Sequence, residues 1–180
     1  MKKYLVPLCT TLLLCFLALP SAQAAVIPNG IYIIQMAGSD MTVAATSSKK
    51  GARLILWPYR PTATWAFKHV GNDEYIIRTN ATVLDSSGGK RYNGVPIIIW
   101  PQHGKANQRW KIRRHGNYYS LTNVQTGLAL DLKGNRRVKN NVFQGYTPHY
   151  RDGQLFTILP PGKKKPKRQH PNSLDNFFNP

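Results

Sequence analysis

The chain has 180 residues, with 25 Lys and Arg against 7 Asp and Glu, a formal net charge of +18 at pH 7 and 2 cysteines. That length leaves no room for a second domain beside one with a real core, and two cysteines do not make a disulfide framework. The charge predicts attraction to polyanions, whether nucleic acid, acidic glycan or a negatively charged envelope, without choosing among them.

In chain order, residues 1–24 read as a secretory signal: Lys2 and Lys3, an apolar stretch from Leu5 to Leu19, then Ala22-Gln23-Ala24. Cleavage after Ala24 is the expectation, giving a secreted or periplasmic protein. A membrane anchor fits less well, because the apolar run is short and interrupted by Pro7 and Pro20. Cys15 follows the bulky Leu14, which does not suit a lipidation site. Both cysteines, Cys9 and Cys15, fall in this segment, so the mature chain depends on packing alone and keeps a charge of about +16.

Beyond it an internal repeat sets the organisation. Trp65, Trp110 and Phe156 recur at about 45 residues, and a second aromatic series, Trp57, Trp100 and Tyr146, keeps step with them. Three units follow, at 26–70, 71–115 and 116–161. They open on Gly30-Ile31-Tyr32-Ile33-Ile34, Tyr75-Ile76-Ile77 and Tyr118-Tyr119-Ser120-Leu121. Short runs rich in Ile, Val, Leu and Tyr, separated by Gly, Asn, Ser and Pro, predict strands, and no window sustains a helical period. Ser86-Ser87-Gly88-Gly89 and Lys133-Gly134-Asn135 are turn sequences. A four-strand unit cannot bury its own apolar face, whereas three around an axis close into an all-β barrel without a free edge. Trp65, Trp110 and Phe156 are expected in its core.

After Pro160-Pro161-Gly162 the composition changes to Lys163, Lys164, Lys165, Pro166, Lys167 and Arg168, and residues 162–180 are expected to form a basic disordered tail. The basic run suits an acidic polymer or membrane surface. Nucleic acid is not the expected partner, since that would matter only if the protein enters another cell.

Unit two contains Leu84-Asp85, a Gly-rich turn, a strand ending in Trp100, and Asn107-Gln108-Arg109-Trp110. This pattern resembles the ricin B-type (R-type) lectin family, and the resemblance extends over all three units, strongest in the second. It implies a β-trefoil over residues 25–161 and a carbohydrate site built from an Asp, a stacking ring, an Asn and a supporting Gln. Such a set suits a polyol, which offers hydroxyls to a carboxylate and an apolar face to a flat ring.

Transferred by motif, unit two supplies Asp85, Trp100, Asn107 and Gln108, with Ile98 at a strand position where the family often has Gln. Unit three supplies Asp131, Gln144, Tyr146 and Gln154, with Gly153 where the Asn would stand. Unit one retains Trp57 but has Ala44-Ala45 and Ala63 at the Asp and Gln positions, and is expected to bind no sugar.

Other residues carry weaker signals. His103, three residues after Trp100, falls at the edge of the expected pocket within reach of a bound sugar, though a plain surface residue is the expected reading. His69, His115, His149 and His170 show no metal-ligand spacing. Asp73-Glu74 belongs to a turn, no second carboxylate is spaced for glycoside hydrolysis, and no nucleophile motif is present. Asn80-Ala81-Thr82 is a formal glycosylation sequon.

The sequence therefore predicts a non-catalytic secreted lectin without metal or cofactor. It would bind galactose-type or related glycans through unit two, with unit three as a second pocket. Two alternatives stand beside it. One is a cell-binding subunit of a multi-component toxin, resembling the ricin-like subunits of cytolethal distending toxins and so implying a toxin partner subunit. The other is a cationic polyanion binder with vestigial sugar pockets.

Overall fold

The computed structural model describes residues 26–164. The expected signal segment, and all of the expected tail after Lys164, lie outside the described residues.

Each unit contributes four strands. Unit one has β1 (Gly30–Met36), β2 (Met41–Ala45), β3 (Leu54–Pro58) and β4 (Trp65–His69). Unit two has β5 (Glu74–Thr79), β6 (Thr82–Ser86), β7 (Val95–Pro101) and β8 (Trp110–His115). Unit three has β9 (Tyr118–Asn123), β10 (Ala129–Leu132), β11 (Phe143–Tyr146) and β12 (Phe156–Leu159).

The first and last strands of each unit close a six-stranded barrel. β1 pairs β4, β4 pairs β5, β5 pairs β8, β8 pairs β9, β9 pairs β12, and β12 returns to β1. The inner strands form three hairpins, β2–β3, β6–β7 and β10–β11. These touch one another through the β7–β11 pairing and through single bridges at Arg53–Ile98 and Ile55–Val142. This is a β-trefoil: the three-unit barrel that the repeat predicts, in the form that the family resemblance implies.

The repeated aromatics meet in the core: Trp65, Trp110 and Phe156 are buried. Each indole must also place an N–H, and both do so in equivalent ways. Trp65 Nε1 donates to the Val43 carbonyl and Trp110 Nε1 to the Leu84 carbonyl, both at 3.1 Å, tying the barrel to the hairpin of its own unit. Phe156 fills the third position with no donor to place. Tyr75 is fully buried as well; its hydroxyl accepts from the Ile27 N–H at 2.9 Å and donates to the Ile27 carbonyl at 3.1 Å. Burial raises its pKa.

Strand β7 shows how the chain separates core from site. Its run Val95-Pro96-Ile97-Ile98-Ile99-Trp100 looks uniformly apolar, yet the two-residue period buries Val95, Ile97 and Ile99. Ile98 and Trp100 consequently share the opposite face. In β11 the same period sets Gln144 beside Tyr146, and in β3 it sets Ile55 beside Trp57.

Candidate functional site

The hairpin registers align the three units residue by residue. Asp85 lies opposite Ile98 and Val83 opposite Trp100. Asp131 lies opposite Gln144 and Ala129 opposite Tyr146, while Ala44 lies opposite Ile55 and Thr42 opposite Trp57. Asp85, Asp131 and Ala44 are thus one position, as are Trp100, Tyr146 and Trp57.

In unit two, Asp85 and Trp100 line one hollow of about 270 Å³ together with Ser87, Gly88, Ile98, His103 and Asn107. The carboxylate is only 2% exposed, whereas the indole is 38% exposed. Three side chains face the carboxylate. Asn107 Nδ2 donates to Oδ1 and Oδ2, both at 3.0 Å, and approaches the Ser86 carbonyl at 3.3 Å. Gln108 Nε2 donates to Oδ2 at 2.8 Å, and His103 Nε2 lies 3.5 Å from the same oxygen. Burial strips water from Asp85 and raises its pKa, an effect that Gln108, His103 and Asn107 oppose in part.

Gln108 also fixes the loop that carries the histidine. Its Nε2 donates to the Pro101 carbonyl at 3.0 Å, and its Oε1 accepts from the His103 backbone N–H at 2.8 Å. The Lys105 backbone N–H donates to His103 Nδ1 at 3.2 Å. A neutral ring that accepts at Nδ1 carries its proton on Nε2, the atom turned toward the carboxylate.

Unit three repeats the construction. Gln154 Nε2 donates to Asp131 Oδ2 at 3.0 Å and to the Thr147 carbonyl at 3.1 Å, and its Oε1 accepts from the His149 backbone N–H at 2.9 Å. His149 Nε2 lies 3.6 Å from Asp131 Oδ2, and its Nδ1 accepts from the Arg151 backbone N–H at 3.2 Å. Two differences separate the units. Gln144 Nε2 donates to Asp131 Oδ1 at 2.9 Å, where unit two has the apolar Ile98. Gly153, with φ of +92°, stands in a left-handed turn, whereas Asn107 belongs to a short 3₁₀ segment, Ala106–Gln108. Tyr146 supplies the exposed ring, 38% accessible, with His149 edge-on to it at 6.5 Å between centroids.

The structure therefore gathers Asp85, Trp100, Asn107 and Gln108 around one centre and Asp131, Gln144, Tyr146 and Gln154 around another. Within them Gln108 and Gln154 hold the carboxylates from inside. Asn107 is turned onto Asp85 and Ser86, a brace for the acid in addition to the sugar-donor role that the resemblance implies. His149 is the residue that sequence reasoning missed, and His103 is a wall of the hollow. The signal was available, since both stand three residues after the exposed ring and five before the bracing Gln. Chemically each centre offers buried acceptors beside an exposed flat ring. Lys50, from unit one, extends over Trp100 with Nζ 5.9 Å from the ring.

Residues 61–146 match the family model described as ricin-type beta-trefoil lectin domain-like. That match bears out the family resemblance carried by the motifs. Among solved structures, a mosquitocidal holotoxin aligns at 20% identity with a TM-score of 0.69, over 75% of this chain and 18% of that one. The Polyporus squamosus lectin bound to a human-type influenza-binding epitope, Neu5Aca2-6Galb1-4GlcNAc, aligns at 24% with a TM-score of 0.63, over 73% and 49%. The C-half of the earthworm R-type lectin in complex with GalNAc aligns at 17% with a TM-score of 0.57, over 73% and 98%. The fold is what these likenesses share with the chain.

Proposed function

With a ricin-type β-trefoil lectin-like domain as premise, we propose that this protein is a secreted, non-catalytic lectin that binds galactose-type or related glycans through unit two, with unit three as a second pocket. The observation that supports this most is the pairing of a braced, inward-held carboxylate, Asp85, with the open indole of Trp100 in one hollow. A pyranose laid on the indole would present adjacent hydroxyls to the carboxylate, and hydrogen bonds to an ionised acceptor are the stronger kind. The lectins among the structural neighbours are described in complex with galactose- or GalNAc-containing ligands, which favours the same sugar class. A single open hollow of this size binds weakly, and two on one chain raise avidity for a branched or clustered glycan.

A glycan array on the wild type and on Asp85→Ala, read at high salt, tests the proposal. Salt suppresses the contribution of the net positive charge through counterion release but leaves stacking and hydroxyl contacts largely intact. Binding that survives salt and vanishes in the variant supports unit two as the site. An unchanged profile in the variant removes it.

A second reading is favoured by the likeness to the mosquitocidal holotoxin. Here the same glycan-binding domain would serve as the cell-binding subunit of a toxin complex. Co-purification of a separately encoded enzyme with the tagged native protein supports that reading, and a monodisperse monomer in native extracts counts against it.

A further inference from the structure

Unit one keeps the hollow but reverses its chemistry. At the position of Asp85 stands Ala44, by the hairpin register, and two residues before the core Trp65, where Gln108 precedes Trp110, stands Ala63. The carboxylate and its brace are both gone. The space is not filled: a cavity of about 400 Å³ is lined by Ala44, Trp57, Arg60, Thr62, Ala63 and Thr64, among others. Among the described residues that line it, none is acidic.

The third change supplies a charge. Three residues after the ring, where units two and three place His103 and His149, unit one has Arg60. Its guanidinium carbon lies over the Trp57 ring, 5.0 Å from the centroid. A second cation from another unit, Lys139 Nζ, lies over the same ring at 4.4 Å. One residue along from Trp57-Pro58, Tyr59 donates its hydroxyl to the Lys163 carbonyl at 3.3 Å, and Lys164 Nζ lies 5.6 Å over the Tyr59 ring. Cations from unit one, unit three and the C-terminal segment thus converge on the segment from Trp57 to Arg60.

We propose that this hollow is an anion site, which takes the carboxylate or sulfate group of an acidic glycan. A neutral pyranose finds no carboxylate there to receive its hydroxyls, and Arg60 covers a ring that it would stack on. A planar guanidinium held against an indole keeps its outer N–H groups in a fork that matches a carboxylate or sulfate. The ring fixes the guanidinium in place, so less side-chain freedom is lost on binding than for a free surface arginine. The hydroxyls of Thr62 and Thr64 add neutral donors in the same lining. Lys139 and Lys164 supply further positive potential with no carboxylate in the lining to cancel it. The site does not depend on unit two binding a sugar.

The test follows the indole N–H signals of Trp57 and Trp100 in ¹⁵N-labelled protein at fixed ionic strength. Glucuronate, a heparin-derived disaccharide, inorganic sulfate and neutral glucose are added separately. The expected result is a saturable shift of the Trp57 signal with glucuronate or the sulfated disaccharide and none with glucose. Arg60→Ala should weaken that binding about tenfold, the loss of one charge-assisted fork. Arg60 is exposed, so an unmoved Trp100 signal in the variant confirms that the fold is intact. A silent Trp57, a response unchanged by Arg60→Ala, or an equal response to glucose overturns the site. Equal affinity for inorganic sulfate and the disaccharide overturns the glycan as occupant and leaves a simple ion.

Discussion

Replacing Asp85 with asparagine separates the charge of the acid from its shape. In the wild type, Asn107, Gln108 and His103 all aim donors at the carboxylate, at 3.0, 2.8 and 3.5 Å. Of its four lone-pair sites these three donors leave one, on Oδ1, for a sugar hydroxyl. The amide has one oxygen, which Gln108 and Asn107 occupy, so its NH₂ group must turn to the hollow. There it meets the sugar hydroxyls as a competing donor and also faces the Asn107 Nδ2 that donated to Oδ1, while His103 stays beside the retained oxygen. One charge-assisted hydrogen bond is worth about 1.5–3 kcal/mol, so Asp85→Asn should weaken galactose or lactose by roughly 10- to 100-fold. Stability should change far less, because the lost bonds are offset by relief of the desolvation that raises the Asp85 pKa. Isothermal titration with lactose, paired with thermal melts, measures both. A variant that binds as tightly as the wild type with an unchanged melting temperature refutes the reasoning, since the carboxylate would then not receive the sugar.

Four further outcomes follow from the structure. Ile98→Gln gives Asp85 the donor that Gln144 gives Asp131 at 2.9 Å; the Asp85 pKa should fall and binding should tighten about 3- to 10-fold, read by carboxyl-carbon NMR titration and calorimetry. Because the folded-state pKa of Asp85 is raised, glycan affinity should decline on acidification at milder pH than for an ordinary carboxylate. In stability the sign is opposite: the contribution of this group is fully present below its unfolded pKa and is lost as pH rises through its folded pKa. The wild type should therefore gain on Asp85→Asn as pH falls, which denaturant curves at several pH values check. Gly145→Ala places a Cβ 2.6 Å from Val95 Cγ1 and 3.3 Å from Leu128; chemical denaturation should show a loss of about 1–3 kcal/mol from overpacking.

Much of the architecture was legible because the repeat is written twice, once in core rings and once in rings that are half-buried or exposed. Trp65, Trp110 and Phe156 must be buried, while Trp57, Trp100 and Tyr146 fall at the outer end of a two-residue alternation. Pairing between residues far apart was harder to read. The Val95–Trp100 run carries no polar residue to mark its outward face, so only the register against β6 reveals that Ile98 faces Asp85. The unit-three loop was also opaque. Gly153 reads as a missing Asn, yet its φ of +92° belongs to a different backbone path, so an asparagine introduced there would not reproduce Asn107. His149 has no metal-ligand spacing to mark it; its informative distances are three residues from Tyr146 and five from Gln154.

The barrel closes through β1 and β12, which run antiparallel with Ile33 beside Leu159 and Met36 beside Phe156. The polypeptide on either flank of the domain accordingly departs side by side from one pole. Tension applied between those flanks, as when a tethered domain grips a moving surface, would peel this ladder open one rung after another instead of shearing all its rungs together. The seam that completes the ring is thus the place where pulling opens it first.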